Sequence, residues 1–192
     1  MLNALITGTS TGIGQATALH LARKGYRVFA SMRNPETGAA PLTDAAKIEG
    51  LPLDVIQLDV DDSDSISRAV QEVEQQAGQI DVLVNNAGIG IAGSVEEISE
   101  EALRAVFETN FFGAMRLTSA VLPGMRQRRN GAIVNVTSVS GRVAISPQFA
   151  YTASKFALEG ASEILAQEMR RFNVRVAIIE PGVILTPIFA KN

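Results

Sequence analysis

Short apolar runs alternate along the chain with longer segments in which apolar residues recur every three or four positions. The short runs predict buried strands near 2–7, 26–31, 53–58, 80–85, 131–137 and 174–180. The longer segments predict helices near 13–24, 62–77, 99–128 and 150–172, and Thr37, Gly38 and Pro41 limit a further segment to a short helix near 41–48. Asp62 or Ser63, and Ser99, are suited to cap the second and third long helices.

This alternation predicts an α/β fold with a doubly wound parallel sheet, because each parallel pair of strands needs a crossover connection. Right-handed crossovers would place the first strand in the middle of the sheet and helices on both faces. Ligands of such sheets bind at the carboxyl ends of the strands, near the point where the strand order reverses. We therefore expect functional residues directly after the strands.

Composition narrows the class of protein. The chain has 192 residues, which suits a single domain, and its 46% hydrophobic and 19% charged residues with a net charge of -3 suit a soluble globular protein. It has neither a basic surface for nucleic acid nor an apolar run for a membrane or secretion signal, so we expect a cytoplasmic protein. The absence of cysteine and the single histidine, His20, argue against a metal site, and we assign His20 a structural or solvated role.

A glycine-rich turn follows the first predicted strand. Residues 7–14 are Thr-Gly-Thr-Ser-Thr-Gly-Ile-Gly, and a helix begins at their end. Glycines permit positive φ and close approach of a phosphate, and the helix N-terminus favours negative charge. The pattern predicts a phosphate cradle, although a plain strand-to-helix turn would look similar. The glycines are spaced four and then two apart, unlike the G-x-G-x-x-G fingerprint of other dinucleotide-binding proteins.

Residues after the second and third strands bear on a nucleotide cofactor. A ribose 2'-hydroxyl favours an acidic residue after the second strand and a 2'-phosphate favours a basic one. Met32 and Arg33 stand there, so NADP is favoured over NAD, unless Arg33 is solvated or stacks on the adenine. Asp59 follows the third strand, but an acidic helix start would also explain it.

Two other motifs are assigned no function. Residues 88–93 match G-x-G-x-x-G, but the next helix starts only near Ser99, so no helix N-terminus would face a phosphate there. Asn135, Val136 and Thr137 match a glycosylation sequon, but they lie inside an apolar strand.

Ser138, at the end of the fifth strand, precedes Tyr151 by thirteen residues, and Lys155 follows Tyr151 by one helical turn. A Y-x-x-x-K pair alone is common in helices. Together with T-G-x-x-x-G-I-G at 7–14, N-N-A-G at 85–88 and P-G-x-x-x-T at 181–186, in this order, it resembles the short-chain dehydrogenase/reductase family. The resemblance implies a sheet of the Rossmann type, here with six strands and without the usual C-terminal part.

The resemblance also implies roles for individual residues. Tyr151 would be the general acid/base, Lys155 would lower its pKa and bind the nicotinamide ribose, Ser138 would hydrogen-bond the reacting oxygen, and Asn110 would hold a water of a proton relay. A tyrosine pKa near 10 would have to fall by roughly 3 units for a base that works near neutral pH. The implied cofactor contacts are Gly8, Ser10, Thr11, Gly12, Ile13, Gly14, Arg33, Asp59, Val60, Asn86, Ala87, Gly88, Tyr151, Lys155, Pro181, Gly182, Ile184 and Thr186.

The expected function is NADP-dependent hydride transfer between the nicotinamide and a secondary alcohol or ketone. The pocket walls would be 90–95, 139–148 and 185–189, which are largely apolar and suit a steroid-, retinoid- or xenobiotic-like substrate. Sugars and acyl thioesters stay open as substrates. The alternative function is a catalytically silent nucleotide-binding sensor or partner subunit, for which loss of Tyr151 or Lys155 would be the mark.

The last expectations concern assembly and the end of the chain. We expect a homodimer or homotetramer formed through the helices near 99–128 and 150–172, whose small residues are Gly113, Ala114, Ala157, Gly160 and Ala161. Family members usually continue beyond the position of Asn192, so the chain resembles a fragment. The last strand would then be an edge that exposes Val174, Val176, Ile178 and Ile179, and the apolar segment 185–190 would have little to pack on.

Overall fold

A computed structural model describes residues 1–189 of the chain. Its six strands are β1 (Asn3–Ile6), β2 (Arg27–Met32), β3 (Leu53–Gln57), β4 (Val82–Asn85), β5 (Gly131–Val136) and β6 (Val174–Ile179). They form one parallel sheet in the order β3-β2-β1-β4-β5-β6. The chain moves outward from β1 to β3 and then returns to β4 on the other side of β1. The predicted doubly wound parallel sheet of the Rossmann type is therefore confirmed.

Seven α-helices connect or precede these strands within the described residues. They are α1 (Gly12–Arg23), α2 (Pro35–Gly38), α3 (Ala40–Glu49), α4 (Ser63–Ala77), α5 (Glu100–Phe107), α6 (Ala114–Arg128) and α7 (Phe149–Met169). The expected N-caps at Asp62 and Ser99 are confirmed, since their side chains accept hydrogen bonds from the backbone N–H groups of Asp64 and Ala102.

Two of the predicted helices differ in detail from the expectation. The predicted helix near 99–128 is α5 and α6 joined by π-helical turns over Glu108–Gly113. The predicted short helix near 41–48 is α3, and an additional short helix, α2, precedes it, where Pro35 occupies the first position and its fixed φ suits a helix start.

Apolar residues fill both faces of the sheet. In β1, Leu5 belongs to a core shared with α4, α6 and α7, whereas Ala4 and Ile6 belong to a core shared with α1 and α3. This arrangement follows from the alternation of side chains along a strand that is covered on both sides. The cores hold the strands so that their carboxyl ends meet at one edge, where the candidate site lies.

The expected exposure of the edge strand β6 is partly wrong. Val174 is only 3% exposed, because it packs in the core beside Leu165 and Met169 of α7. Val176 and Ile178 are half-buried on the same face, and Ile179 is exposed. In the apolar segment 185–190, Leu185 is fully exposed as expected, while Ala190 lies outside the described residues.

Two small residues expected at a subunit interface lie inside the chain instead. A Cβ at Gly113 would come within 2.9 Å of the Val60 side chain, and Ala114 is 6% exposed. The interior position of Val60 explains why a glycine stands at 113. Gly160 of α7, by contrast, is exposed, and nothing lies within 4 Å of a Cβ placed there.

Candidate active site

The turn between β1 and α1 adopts the backbone that its glycines allow. Gly8 has φ of 68° and Gly12 has φ of 63°, which is the left-handed region that side chains disfavour. Gly14 is required for a different reason, since a Cβ there would lie 2.4 Å from both Asn86 Nδ2 and the Gly8 oxygen. The turn is therefore fixed by close packing as well as by backbone conformation.

Asn86 and Thr7 hold this turn against the end of β4. Asn86 Nδ2 donates to the backbone oxygens of Thr7 at 2.8 Å and Gly8 at 3.2 Å. In return, Thr7 Oγ1 accepts from the backbone N–H groups of Asn86 and Ala87, both at 2.9 Å. The glycine turn and the N-N-A-G segment, which are almost eighty residues apart in sequence, thus form one hydrogen-bonded unit.

Arg33 and Asp61 lie at the ends of β2 and β3. Arg33 is exposed, whereas Met32 before it is 3% exposed. Burial raises the pKa of Asp61, while a 2.8 Å hydrogen bond from Thr109 and the charge of Arg33 oppose this effect. Asp59 accepts the backbone N–H of Asp61 at 3.1 Å, and Val60 between them is buried. This edge therefore presents the exposed Arg33 guanidinium beside an acidic loop, to which Arg116 of α6 also donates, at the Val60 oxygen, at 3.1 Å.

Ser138, Tyr151 and Lys155 come together at the carboxyl end of β5. Tyr151 and Lys155 lie one turn apart near the start of α7 and are 7% and 3% exposed. The Tyr151 side chain is hydrogen-bonded to Ser138, whose Oγ also accepts the backbone N–H of Ser140 at 3.0 Å. Lys155 Nζ lies 5.6 Å from the centroid of the Tyr151 ring and donates to the Val136 oxygen at 2.9 Å.

Burial dominates the pKa values of this group. It raises the pKa of Tyr151 above its ordinary value, although the Ser138 hydrogen bond opposes the rise. It lowers the pKa of Lys155 to about 8, although the charge of Glu159 opposes the fall. In the chain alone, loss of hydration disfavours the phenolate more than the Ser138 hydrogen bond favours it. The lowered tyrosine pKa expected from the sequence depends also on an oxidised nicotinamide and stays a prediction for the cofactor-bound protein.

Asn110 lies in the π-helical turns between α5 and α6. Its Oδ1 accepts the Ile89 backbone N–H at 2.8 Å, and its Nδ2 donates to the Ile89 oxygen at 2.9 Å and to Ser154 Oγ at 3.0 Å. Insertions of this kind redirect side chains within a long helix. Asn110 thereby ties the loop after β4 to the helix that carries Tyr151 and Lys155.

The segment after β6 runs from Ser138 back to the glycine turn. The Pro181 oxygen accepts the backbone N–H of Val139 at 2.9 Å. Further along, Thr186 Cγ2 would lie 3.2 Å from a Cβ placed on Gly12. An open cleft of about 780 Å³ lies between this segment and α1, and its lining residues do not include the Ser138 group. Gly182 and Ile184 are exposed at this edge.

The G-x-G-x-x-G match at 88–93 and the sequon at 135–137, which were assigned no function, lie in positions that agree with that assignment. No helix begins between Gly88 and Ser99, and the Gly93 backbone pairs with the residues that precede α7, donating to the Pro147 oxygen at 2.7 Å. Asn135 of the sequon is fully buried and donates to Ser162 Oγ at 2.7 Å. Within residues 1–189, no group of three or more His, Asp or Glu side chains could hold a metal ion, and no helix is long and apolar enough to cross a membrane.

Sequence reasoning missed three residues next to the candidate site. Ser154 bridges Asn110 and the Tyr151 backbone oxygen, Thr137 precedes Ser138, and Glu159 contacts Thr137. A signal for Glu159 was present, because it lies four residues after Lys155 and so on the same face of α7.

Comparison with known proteins agrees with this geometry. Residues 2–192 match the model of the family described as short chain dehydrogenase. Over 190 residues the chain is 44% identical to retinol dehydrogenase 8 of Bos taurus, covering 97% of this chain and 60% of that protein. Over 193 residues it is 39% identical to 17-beta-hydroxysteroid dehydrogenase type 1 of Mus musculus, covering 97% of this chain and 55% of that protein.

The fold has close counterparts among solved structures. The structure of a variant of actinorhodin polyketide ketoreductase with NADPH has a TM-score of 0.93 and 35% sequence identity, covering 97% of this chain and 72% of that one. The chain spans about 60% of the length of the first two curated relatives, both retinol dehydrogenase 8. The chain belongs to the short-chain dehydrogenase/reductase family.

Proposed function

We propose that this chain binds NADP and transfers a hydride between the nicotinamide and the carbon of a secondary alcohol or ketone. The observation that carries the proposal is the hydrogen bond between Ser138 and Tyr151, with the Lys155 ammonium 5.6 Å from the tyrosine ring. A phenol that is hydrogen-bonded to a hydroxyl and lies near a cation can donate or accept a proton at a carbonyl oxygen. This group lies at the carboxyl end of β5, where ligands of open α/β sheets bind.

The residues around the glycine turn fit a dinucleotide. The positive φ values of Gly8 and Gly12 suit close approach of the pyrophosphate, and the N-terminus of the twelve-residue helix α1 lies directly behind them. A Cβ at Gly88 would lie 3.2 Å from Asn110 Oδ1 and 3.6 Å from Lys155 Nζ, so the glycine brings the loop after β4 close to both side chains. We propose the full set of cofactor contacts from the sequence as the residues that would hold NADP.

The chain's own residues would handle the proton and the alignment. Tyr151 would donate a proton to the carbonyl oxygen during reduction, or accept it from the hydroxyl during oxidation, and Ser138 would hold the same oxygen by a hydrogen bond. Lys155 would favour the phenolate through its charge, and Asn110 would keep the loop after β4 in register with α7. The bound nicotinamide would supply or accept the hydride.

The preference for NADP rests on Arg33. The guanidinium stands at the end of β2, where a ribose 2'-phosphate would be recognised, and the buried Met32 offers no carboxylate for a 2'-hydroxyl. The solved structures named with NADPH or NADP support a nicotinamide cofactor for this fold.

An apolar substrate is the best match to the candidate pocket. Val95, Val143 and Ile145 are exposed in the loops that the sequence assigned to its walls. Exposed apolar side chains clustered at a ligand-binding edge favour an apolar ligand. The named relatives act on retinol and on 17-beta-hydroxysteroids, which are apolar alcohols. We therefore propose a retinoid-, steroid- or xenobiotic-like alcohol or ketone.

We also propose that residues 1–192 form one domain of a cytoplasmic homodimer or homotetramer. Phe156, Gly160 and Ile164 of α7 are exposed at intervals of four residues and form an apolar stripe. Such a stripe on a 21-residue helix suits packing against the same helix of a second copy.

The direct test is to measure NADPH binding by fluorescence and turnover by NADPH absorbance with a panel of apolar ketones and alcohols. The proposal expects binding and turnover of at least one of them. Tight NADPH binding with no turnover across the panel would support the nucleotide-binding sensor or partner subunit instead, and failure to bind either dinucleotide would contradict both functions.

A further inference from the structure

Glu159 is a buried carboxylate to which the proposed reaction assigns no role. It lies on α7 one turn after Lys155 and is 4% exposed. Its Oε1 accepts a 2.5 Å hydrogen bond from the Thr137 hydroxyl, whereas its Oε2 is buried without a hydrogen-bond partner among residues 1–189. No lysine or arginine of the described chain lies within 4.0 Å of it. Burial of a carboxylate is unfavourable unless the carboxylate is hydrogen-bonded or paired with a cation.

Thr137 lies between two residues that contact the Tyr151–Lys155 pair. Thr137 stands between Val136, whose oxygen accepts from Lys155 Nζ, and Ser138, which is hydrogen-bonded to Tyr151. The Glu159 contact therefore joins α7 to the one stretch of β5 that holds both partners of the Tyr151–Lys155 pair.

The neighbouring backbone accommodates the glutamate. A Cβ at Gly141 would lie 3.0 Å from Glu159 Cγ and 3.2 Å from its Oε1, which is closer than an ordinary contact, so the turn after β5 packs tightly against the glutamate. The Thr137 backbone N–H donates to the Ile179 oxygen at 2.8 Å, which fixes this strand end to β6. Thr137 is thus held on one side by β6 and on the other by Glu159.

Glu159 is also the charged group that acts on the pKa of Lys155. Its charge opposes the burial that lowers the pKa of Lys155. The groups that face the ammonium from other elements, the Val136 oxygen from β5 and Gly88 from the loop after β4, are uncharged. Arg142, in the turn after β5, pairs instead with the exposed Glu163 at 3.3 Å and lies 3.8 Å from Glu180.

We propose that Glu159, acting through Thr137, is a positioning residue that holds the Val136–Ser138 strand end against the Tyr151–Lys155 pair. Its kinetic part rests on the proposed hydride-transfer function. Its geometric part does not, and can be measured on the protein without a cofactor.

Two pairs of variants distinguish the effect of the Glu159 charge from the effect of its hydrogen bond with Thr137. Glu159→Gln keeps a carbonyl oxygen that can accept from Thr137 and removes the charge, and Glu163→Gln removes the same charge from an exposed position one turn further along α7. Thr137→Val removes the hydroxyl at similar volume, and Thr137→Ser retains it. We expect Glu159→Gln and Thr137→Val to lower kcat roughly threefold to tenfold with little change in KM for the carbonyl substrate. Glu163→Gln and Thr137→Ser should keep the parent kcat.

Ionisation of Tyr151 gives a readout that needs no turnover. The chain has two tyrosines and no tryptophan, so in a Tyr26→Phe background tyrosinate absorbance reports Tyr151 alone. Lys155, whose pKa is about 8, is already neutral when Tyr151 ionises, so this readout reports the Ser138 hydrogen bond, which favours the phenolate and which the Thr137 contact holds in place. We expect Thr137→Val to raise the tyrosinate midpoint by about 0.5 to 1 pH unit relative to Thr137→Ser, because the strand end then no longer holds Ser138 against the phenol.

The outcomes separate this inference from the proposed function. A tyrosinate midpoint that is the same in Thr137→Val and Thr137→Ser, or that is lower in the former, overturns the inference even if the parent turns over NADPH. A raised midpoint in a parent background without turnover supports the inference and contradicts the proposed function. If Glu159→Gln does not fold, the Thr137 pair decides, and equal kcat and equal midpoints for Thr137→Val and Thr137→Ser overturn the inference.

Discussion

Lys155 Nζ lies over the ring of Tyr151, 5.6 Å from its centroid, while it donates a 2.9 Å hydrogen bond to the Val136 oxygen. The strand thus anchors the ammonium, and the helix sets its separation from the phenol. A fixed cation at this distance can favour the phenolate through its charge without being the proton acceptor. The catalytic prediction follows from this division of roles.

Tyr151→Phe should lose most of its turnover and keep its affinity for NADPH. The change removes the transferable proton and leaves a ring that fills the same buried space, so kcat should fall by about 10² to 10⁴. Stopped-flow or steady-state NADPH absorbance measures kcat, and fluorescence titration measures the affinity. The control is Tyr26→Phe, in the only other tyrosine, which should retain the parent kcat. Parent-like turnover by Tyr151→Phe would remove Tyr151 from the acid/base role.

Arg33→Ala should lower the preference for NADPH over NADH. A charge-assisted hydrogen bond to the 2'-phosphate contributes about 1.5 to 3 kcal/mol, so kcat/KM for NADPH should fall about 10- to 100-fold, with a smaller change for NADH. The ratio of the two values is the measurement. Arg104→Ala, which removes an exposed arginine paired with Glu100 on α5, is the matched control. A ratio that is equal in Arg33→Ala, Arg104→Ala and the parent would contradict the role of Arg33.

Stability should rise with pH above pH 8 because of Lys155. Its pKa is about 8 in the folded chain and 10.5 in the unfolded one, so between these values the unfolded state binds more protons and the free energy of unfolding increases. The full contribution is about 3 kcal/mol, and below pH 8 it does not vary because both states are protonated. Above pH 10 the raised pKa of Tyr151 opposes the trend.

Denaturant unfolding from neutral pH to about pH 10 measures this effect. Lys155→Met should lose the rise, whereas Lys47→Met, on the surface of α3, should keep it. A parent protein whose free energy of unfolding falls steadily over this range, in step with Lys155→Met, would show that burial does not control the ionisation of Lys155.

Gly14→Ala should destabilise the chain and weaken NADPH binding. The new Cβ would lie 2.4 Å from Asn86 Nδ2 and from the Gly8 oxygen, so the turn must shift, at a cost of about 1 to 3 kcal/mol. Chemical denaturation gives the change in stability. Gly124→Ala, inside α6, is the control and should be neutral or stabilise by up to about 1 kcal/mol, because a Cβ there comes within 3.0 Å only of the movable end of the Arg128 side chain. Equal stabilities for the two variants would contradict the close packing at Gly14.

Ile164→Asp should shift the oligomeric state toward the monomer. Ile164 is 55% exposed on α7, in the apolar stripe with Phe156, and a carboxylate at the centre of an apolar interface remains unpaired. Sedimentation velocity at micromolar concentration compares this variant with Glu163→Gln, its neighbour on the exposed surface. A parent protein that is already monomeric would rule out the assembly through this stripe.

The sequence determined the elements of this fold and the order in which they occur. Apolar runs and helical periodicity located all six strands and the long helices, because period two and period 3.6 are local properties of a chain packed on a sheet. The glycine turn at Gly8 and Gly12 was also visible, since positive φ is a local requirement. Parallel pairing and right-handed crossovers then placed Ser138, Tyr151 and Lys155 at one edge of the sheet.

Tertiary structure decided the features that depend on residues distant in sequence. Asn86 fixes the glycine turn through hydrogen bonds across almost eighty residues, and α7 buries Val174 although β6 is an edge strand. Burial likewise sets the direction of the Tyr151 pKa in the chain alone. Each of these features depends on which groups contact a given atom and which exclude water from it. Both are known only once the helices have packed on the sheet.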